Sequence, residues 1–123
     1  MKKCRILRNG GVLIRRADMT ENFFERFRGL MFANSIPDSY GLVISPCRQI
    51  HMFNMKFPLD VIYLSEENRV VDVDENMQPW TVGKTVKAAA RVLEVNAGTC
   101  ARCEICPGDV FEIEPVEASE GTP

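Results

Sequence analysis

The chain has 123 residues, 46% of them hydrophobic and 26% charged, with a formal net charge of -2 and a pI near 5.4. This is ordinary globular composition with room for one core, and it lacks the clustered lysine and arginine that a nucleic-acid partner demands. The apolar run near the amino end is broken by Arg8, Asn9 and Gly10 before a signal-peptide core forms, so we expect no export signal, no membrane span and a cytoplasmic location. Five cysteines then read as reduced thiols rather than a disulfide framework.

Cys4 to Arg8 and Val12 to Arg16 are short β-prone runs around Asn9-Gly10-Gly11, a turn tolerant of positive φ, which predicts a hairpin. Its basic group Arg5, Arg8, Arg15 and Arg16 reads as charge guarding a sheet edge. Asp18 three residues before Glu21 suggests a capping box. Phe23, Phe27 and Leu30 recur at the spacing of one helical face, and Gly29 closes a short helix behind a basic last turn.

Gly41 to Ser45 reads as a strand stopped by Pro46. In the run Ile50 to Leu64, residues His51, Phe53, Met55, Phe57, Leu59, Val61 and Tyr63 fall on one parity, which predicts extended chain with that face inward and a bend or bulge at Pro58. At Ile62 and Leu64 the second parity turns apolar, as in a strand covered on both faces. Asp60 to Leu64 and Arg69 to Asp74 form a second hairpin candidate. Glu75 to Lys87, with the chain's one tryptophan at Trp80, reads as a long loop.

Arg91 to Asn96 alternates as a strand. Thr99 caps a brief helical turn through Glu104, and Val110 to Glu114 is the last strand, with Phe111 and Ile113 inward. The pattern predicts an α+β, mainly β fold, with a small barrel-like, mostly antiparallel sheet and one or two short helices. A single domain is expected over residues 1–115, with a loose tail over 116–123.

Five ordered strings carry a family likeness: "RGLMF" (Arg28 to Phe32), "GLVI" (Gly41 to Ile44), "IHMFNMKFPLDVIYLS" (Ile50 to Ser65), "RVLEVNAG" (Arg91 to Gly98) and "PGDVFEIE" (Pro107 to Glu114). Together they resemble the bacterial and archaeal family called domain of unknown function 192. The resemblance implies a small β-rich domain with short helices and leaves the biochemical role open. Many members of that family look like envelope proteins with an export signal or lipid anchor. Here an anchor is not expected, and the thiols after "NAG" are particular to this chain.

The candidate sites divide into three readings. The preferred one is a non-enzymatic module that holds a small apolar molecule or a peptide at a rim formed by His51, Met55, Asp60, Trp80 and Glu94, with no cofactor. His51 is the chain's one histidine. Met55 is adaptable apolar surface. Trp80 is an aromatic anchor on a polar loop. Asp60 and Glu94 are acids interrupting apolar strands, for which Arg28 or Arg91 are candidate partners. The second reading is metal binding or thiol redox chemistry at Cys100, Cys103 and Cys106, helped by Cys47 or His51, with Cys100 activated at a helix start. Three evenly spaced thiols do not share one helical face, which argues for plain small core residues instead. The third reading is a hydrolase using Asp60 and Glu94 as a carboxyl pair about 5–10 Å apart.

Overall fold

The computed structural model describes residues 1–116, so all of the expected tail over 116–123 except Val116, whose amide donates to Lys3 O at 3.0 Å, lies outside the described residues. Seven strands and two short helices follow one another: β1 (Lys2–Arg8), β2 (Gly11–Met19), α1 (Phe23–Arg28), β3 (Tyr40–Ile44), β4 (Leu59–Leu64), β5 (Val70–Met77), β6 (Arg91–Asn96), α2 (Thr99–Arg102) and β7 (Phe111–Pro115). They form one mixed sheet in the order β5-β4-β6-β3-β2-β1-β7. Every neighbouring pair is antiparallel except β2 and β3. The mainly β, α+β expectation therefore holds, although the sheet is an open, curled one and not a closed barrel. Its two outer strands are joined only at one end, where Arg69 bridges Val110 and the Val70 amide donates to the Asp109 carbonyl at 2.7 Å.

The first hairpin forms where its turn residues demand it. Asn9 and Gly10 take φ of 53° and 78°, the two successive positive values that a right-twisted two-residue turn needs. β4, whose two parities are both apolar apart from Asp60, is buried along its whole length between β5 and β6. Two apolar layers therefore lie against the sheet. One packs Ile6, Ile14, Val43, Ile62, Leu93 and Cys100 inside the curl, where α2 sits. The other packs Leu42, Ile44, Val61, Tyr63 and Val92 under Leu30, just past α1, and under Ile50, Met52 and Met55 from the irregular chain before β4.

That irregular chain corrects the reading of Ile50 to Pro58 as a strand. Its residues make turns and bends, and β4 begins only at Leu59. Pro58 removes a ladder donor, Asn54 takes φ of 58°, and backbone pairing is sporadic. Met52 N–H reaches Thr81 O at 2.7 Å and Gly83 N–H reaches Ile50 O at 2.9 Å, so this segment and the loop after β5 brace each other. Met55 is buried as expected and Met52, on the opposite parity, is buried too, whereas Phe53 is exposed and Phe57 half-buried.

α1 also departs from expectation. Its cap is Asn22, whose side chain accepts from the Glu25 amide at 2.9 Å, while Glu25 accepts from the Glu21 amide at 2.7 Å. Asp18 instead lies in β2 and accepts from the Tyr40 hydroxyl at 2.7 Å. No residue of α1 is buried, so Phe23 and Phe27 face water and only Leu30, beyond the helix, packs inward. Similarly, α2 is preceded by Gly98 in a left-handed conformation and has no side-chain cap of its own, so Thr99 does not play the part predicted for it.

Candidate functional site around Glu94

The two interrupting acids resolve into two different structures. Asp60 lies on the parity of Ile62 and Leu64, and Glu94 on that of Val92, so they face opposite layers of the sheet. Asp60 is saturated. One carboxylate oxygen accepts from Asn76 N–H at 2.8 Å and the other from Gly98 N–H at 3.0 Å and Cys100 N–H at 2.9 Å. It therefore serves the start of α2 and the end of β5, satisfying donors that would otherwise be orphaned. This geometry removes the carboxyl-pair reading and takes Asp60 out of the candidate rim.

Glu94 is the reverse case. It stands opposite Val61 on β4, 3% exposed, and its Oε1 is buried with no hydrogen-bond partner. Burial alone pushes its carboxyl from 4.5 up to about 8, so the group is mostly protonated at neutral pH. The arginines expected to serve it do not. Arg91 is held by Ser65 O at 2.9 Å and Asn68 Oδ1 at 2.7 Å, and Arg28 is exposed at the helix end.

Glu94 forms the floor of a cavity of about 40 Å³ whose walls include Phe27, Gly29, Cys47, His51 and Met55. Gly29 shapes one wall. Its φ of 50° with ψ of -127° suits only glycine, and a Cβ there would stand 3.6 Å from Glu94 Oε1. Cys47 donates to Gln49 O at 3.2 Å, and burial pushes its thiol up, so it is a neutral wall. The cavity is about the size of one water molecule's share of liquid volume, so it takes a single small group rather than a whole ligand.

His51 ties the wall together. Its Nδ1 accepts from the Phe53 amide at 3.2 Å, which leaves the ring proton on Nε2 to donate to Phe27 O, 3.1 Å away at the end of α1. Its ring also lies between Phe27, at 5.5 Å, and Phe53, at 5.0 Å, and Phe53 meets Trp80 at 6.3 Å. The structure thus brings His51, Met55 and Glu94 into one concavity and puts Trp80 at the far end of the aromatic row beside it. Sequence reasoning missed Phe27, Gly29 and Cys47 as walls. The one available signal was that "RGLMF" places a glycine between an arginine and two bulky residues.

The cysteines do not form the second candidate site. Among the described residues, no three His, Cys, Asp or Glu side chains gather to hold a metal ion. Cys47 belongs to the layer opposite that of Cys100. Cys100 is buried, and burial together with the Asp60 carboxylate pushes its thiol up to about 12, the reverse of an activated nucleophile.

An open, curled seven-stranded sheet with a small acid-floored pocket on one layer defines a small β-rich domain, and the comparisons place it among known ones. The chain belongs to the domain of unknown function 192 family, described as "Uncharacterized ACR", whose model matches residues 5–113. It is 31% identical over 106 residues to a UPF0127 protein of Thermococcus kodakarensis, covering 83% of this chain and 67% of that one. A crystal structure of a protein of unknown function from Novosphingobium aromaticivorans aligns with TM-score 0.78 at 28% identity, covering 89% of this chain and 83% of the other. A further crystal structure, from Sinorhizobium meliloti, shares the fold with TM-score 0.77 at 24% identity, covering 91% and 92%. No helix of the described residues is long and apolar enough to cross a membrane.

Proposed function

We propose that this domain is a non-enzymatic binding module and that the Glu94 cavity is its recognition point for a small apolar molecule or a peptide. The observation that carries this reading is the buried, unpartnered Glu94 Oε1 at the floor of a walled concavity. An orphaned buried polar atom costs about 1–3 kcal/mol, and a ligand that supplies its hydrogen bond recovers that energy. Such a ligand has one small polar end, a hydroxyl or amide, that reaches Glu94. Its apolar body rests against Met55 and the rings of Phe27 and His51, the arrangement expected of apolar sites with few convergent polar groups.

Nuclear magnetic resonance mapping with metabolite and peptide mixtures tests the module. Binding is expected to move the Glu94 carboxyl carbon, the Met55 methyl and the His51 ring signals together, and Glu94→Gln should weaken it about tenfold, the equivalent of ~1.4 kcal/mol. Ligands that bind while leaving these three residues unmoved would overturn the assignment, as would a chain that binds none of the mixtures.

A further inference from the structure

A row of large aromatic side chains stands in water beside the pocket. Phe23 is 71% exposed, Phe24 78%, Phe27 57% and Trp80 63%, and Phe32 and Phe53 are exposed as well. The row is continuous from Phe23 through Phe27, His51 and Phe53 to Trp80, each ring within 6.3 Å of the next. The Phe32 amide donates to Asn54 O at 3.0 Å, which ties its backbone to the residue after Phe53. Scattered single hydrophobics on a surface need no explanation, but a contiguous aromatic band does.

We propose that this band docks on the surface of an anionic lipid bilayer, with α1 at headgroup depth. Shape is the first argument. A helix that buries none of its residues and turns Phe23, Phe24 and Phe27 to water is suited to pressing into a deformable interface rather than to receiving a peptide strand. Residue type is the second. The band sets the phenylalanines and arginines of α1 beside Trp80 from the loop after β5, side chains that settle where an apolar body meets a wet, charged boundary. Charge is the third. Glu21 and Glu25 are both engaged by the Met1 ammonium at 3.2 Å, while Arg26 and Arg28 line the pocket beside the band and exposed Lys56 donates to Asn34 Oδ1 at 3.1 Å. Among the described residues, none of these three cations forms an ion pair, so their charge is free for lipid phosphates. A second copy is the poorer occupant, because a twofold contact through α1 would set Arg26 and Arg28 against themselves.

Trp80, the chain's one tryptophan, is a built-in reporter. The full chain is mixed with vesicles of phosphatidylcholine alone or of phosphatidylcholine with phosphatidylglycerol, and both tryptophan emission and co-sedimentation are read. A blue shift and sedimentation that grow with phosphatidylglycerol content and fall with added salt are expected. The double variant Phe23→Ser/Phe24→Ser removes side chains that lie outside both core layers, so it should keep the fold and lose about tenfold or more in partitioning. Glu94→Gln should partition as the wild type does, which separates this surface from the pocket. No shift with phosphatidylglycerol vesicles overturns the proposal, as does undiminished binding by the folded double variant. An emission shift that depends on protein concentration without vesicles would overturn it in favour of self-association.

Discussion

Replacing Glu94 by glutamine should change how the stability of this fold depends on pH, because the buried acid titrates differently in the two states. In the unfolded chain the carboxyl ionises near 4.5, and in the folded chain it holds its proton to about 8. The unfolded state therefore releases this proton first, and stability falls as pH rises between those values; below 4.5 both states are protonated and nothing is lost. At about 1.36 kcal/mol per pH unit, the loss grows to ~4–5 kcal/mol above pH 8. That is a large share of the 5–15 kcal/mol typical of a whole domain. Glutamine has nearly the same shape and cannot ionise, so Glu94→Gln should lack this decline. Urea titrations followed by circular dichroism at pH 5, 7 and 9 measure it, and the difference between the two proteins isolates position 94 from other titrating groups. The variant should be close to wild type at pH 5 and more stable by several kcal/mol at pH 9. Parallel pH profiles would show that the folded carboxyl ionises normally, and the account of the pocket floor as a neutral acid would be refuted.

Asp60→Asn should cost at least ~3 kcal/mol and lower Tm by roughly 10 °C or more in a calorimetric scan, since an amide cannot accept from all three backbone donors as the carboxylate does. In thiol titration with a chromogenic disulfide, exposed Cys106 should react at once, whereas Cys4 and Cys100, buried with thiols pushed up to about 11 and about 12, should react only after denaturant is added. His51→Ala should leave global stability within about 1 kcal/mol of wild type. It should nevertheless speed amide hydrogen exchange across α1, because it removes the donor to Phe27 O and the ring between Phe27 and Phe53. Gly29→Ala should cost about 1–3 kcal/mol through backbone strain, measured by chemical denaturation.

The strands were legible in the sequence wherever local chemistry and burial agreed. Asn9-Gly10 announces its hairpin, and the double apolar parity of Ile62 and Leu64 announces a strand covered on both sides. Alternation misled at Ile50 to Pro58, because methionines that dip into a core from a looped chain produce the same spacing as a strand's inner face. Only the backbone pairing tells the two apart. Helical spacing misled at Phe23 and Phe27 for a related reason. Periodicity reports which residues share a face, not whether that face is covered. The site was half legible. His51, Met55 and Glu94 stood out as exceptions to their surroundings, but Gly29 is distant from all three in sequence, and Cys47, though four residues from His51, meets Glu94 only because β3 pairs with β6.

Asp60 and Glu94 show why an acid in an apolar strand does not by itself mark a function. Both are buried in the central strands of one sheet, and sequence alone treats them alike. Asp60 meets three inward-pointing backbone donors, so its charge organises a turn and a helix start, and burial is compensated locally. Glu94 meets none at Oε1 and is kept neutral at a standing cost to the fold. Side chains of similar volume without a carboxyl would fill that position more stably, as hydrophobic replacements of buried charges often do. A group that lowers stability where it stands, beside a cavity shaped by a glycine-only backbone conformation, has no structural role in holding the fold together, and the binding role proposed for it is the reading that the Glu94→Gln comparison tests.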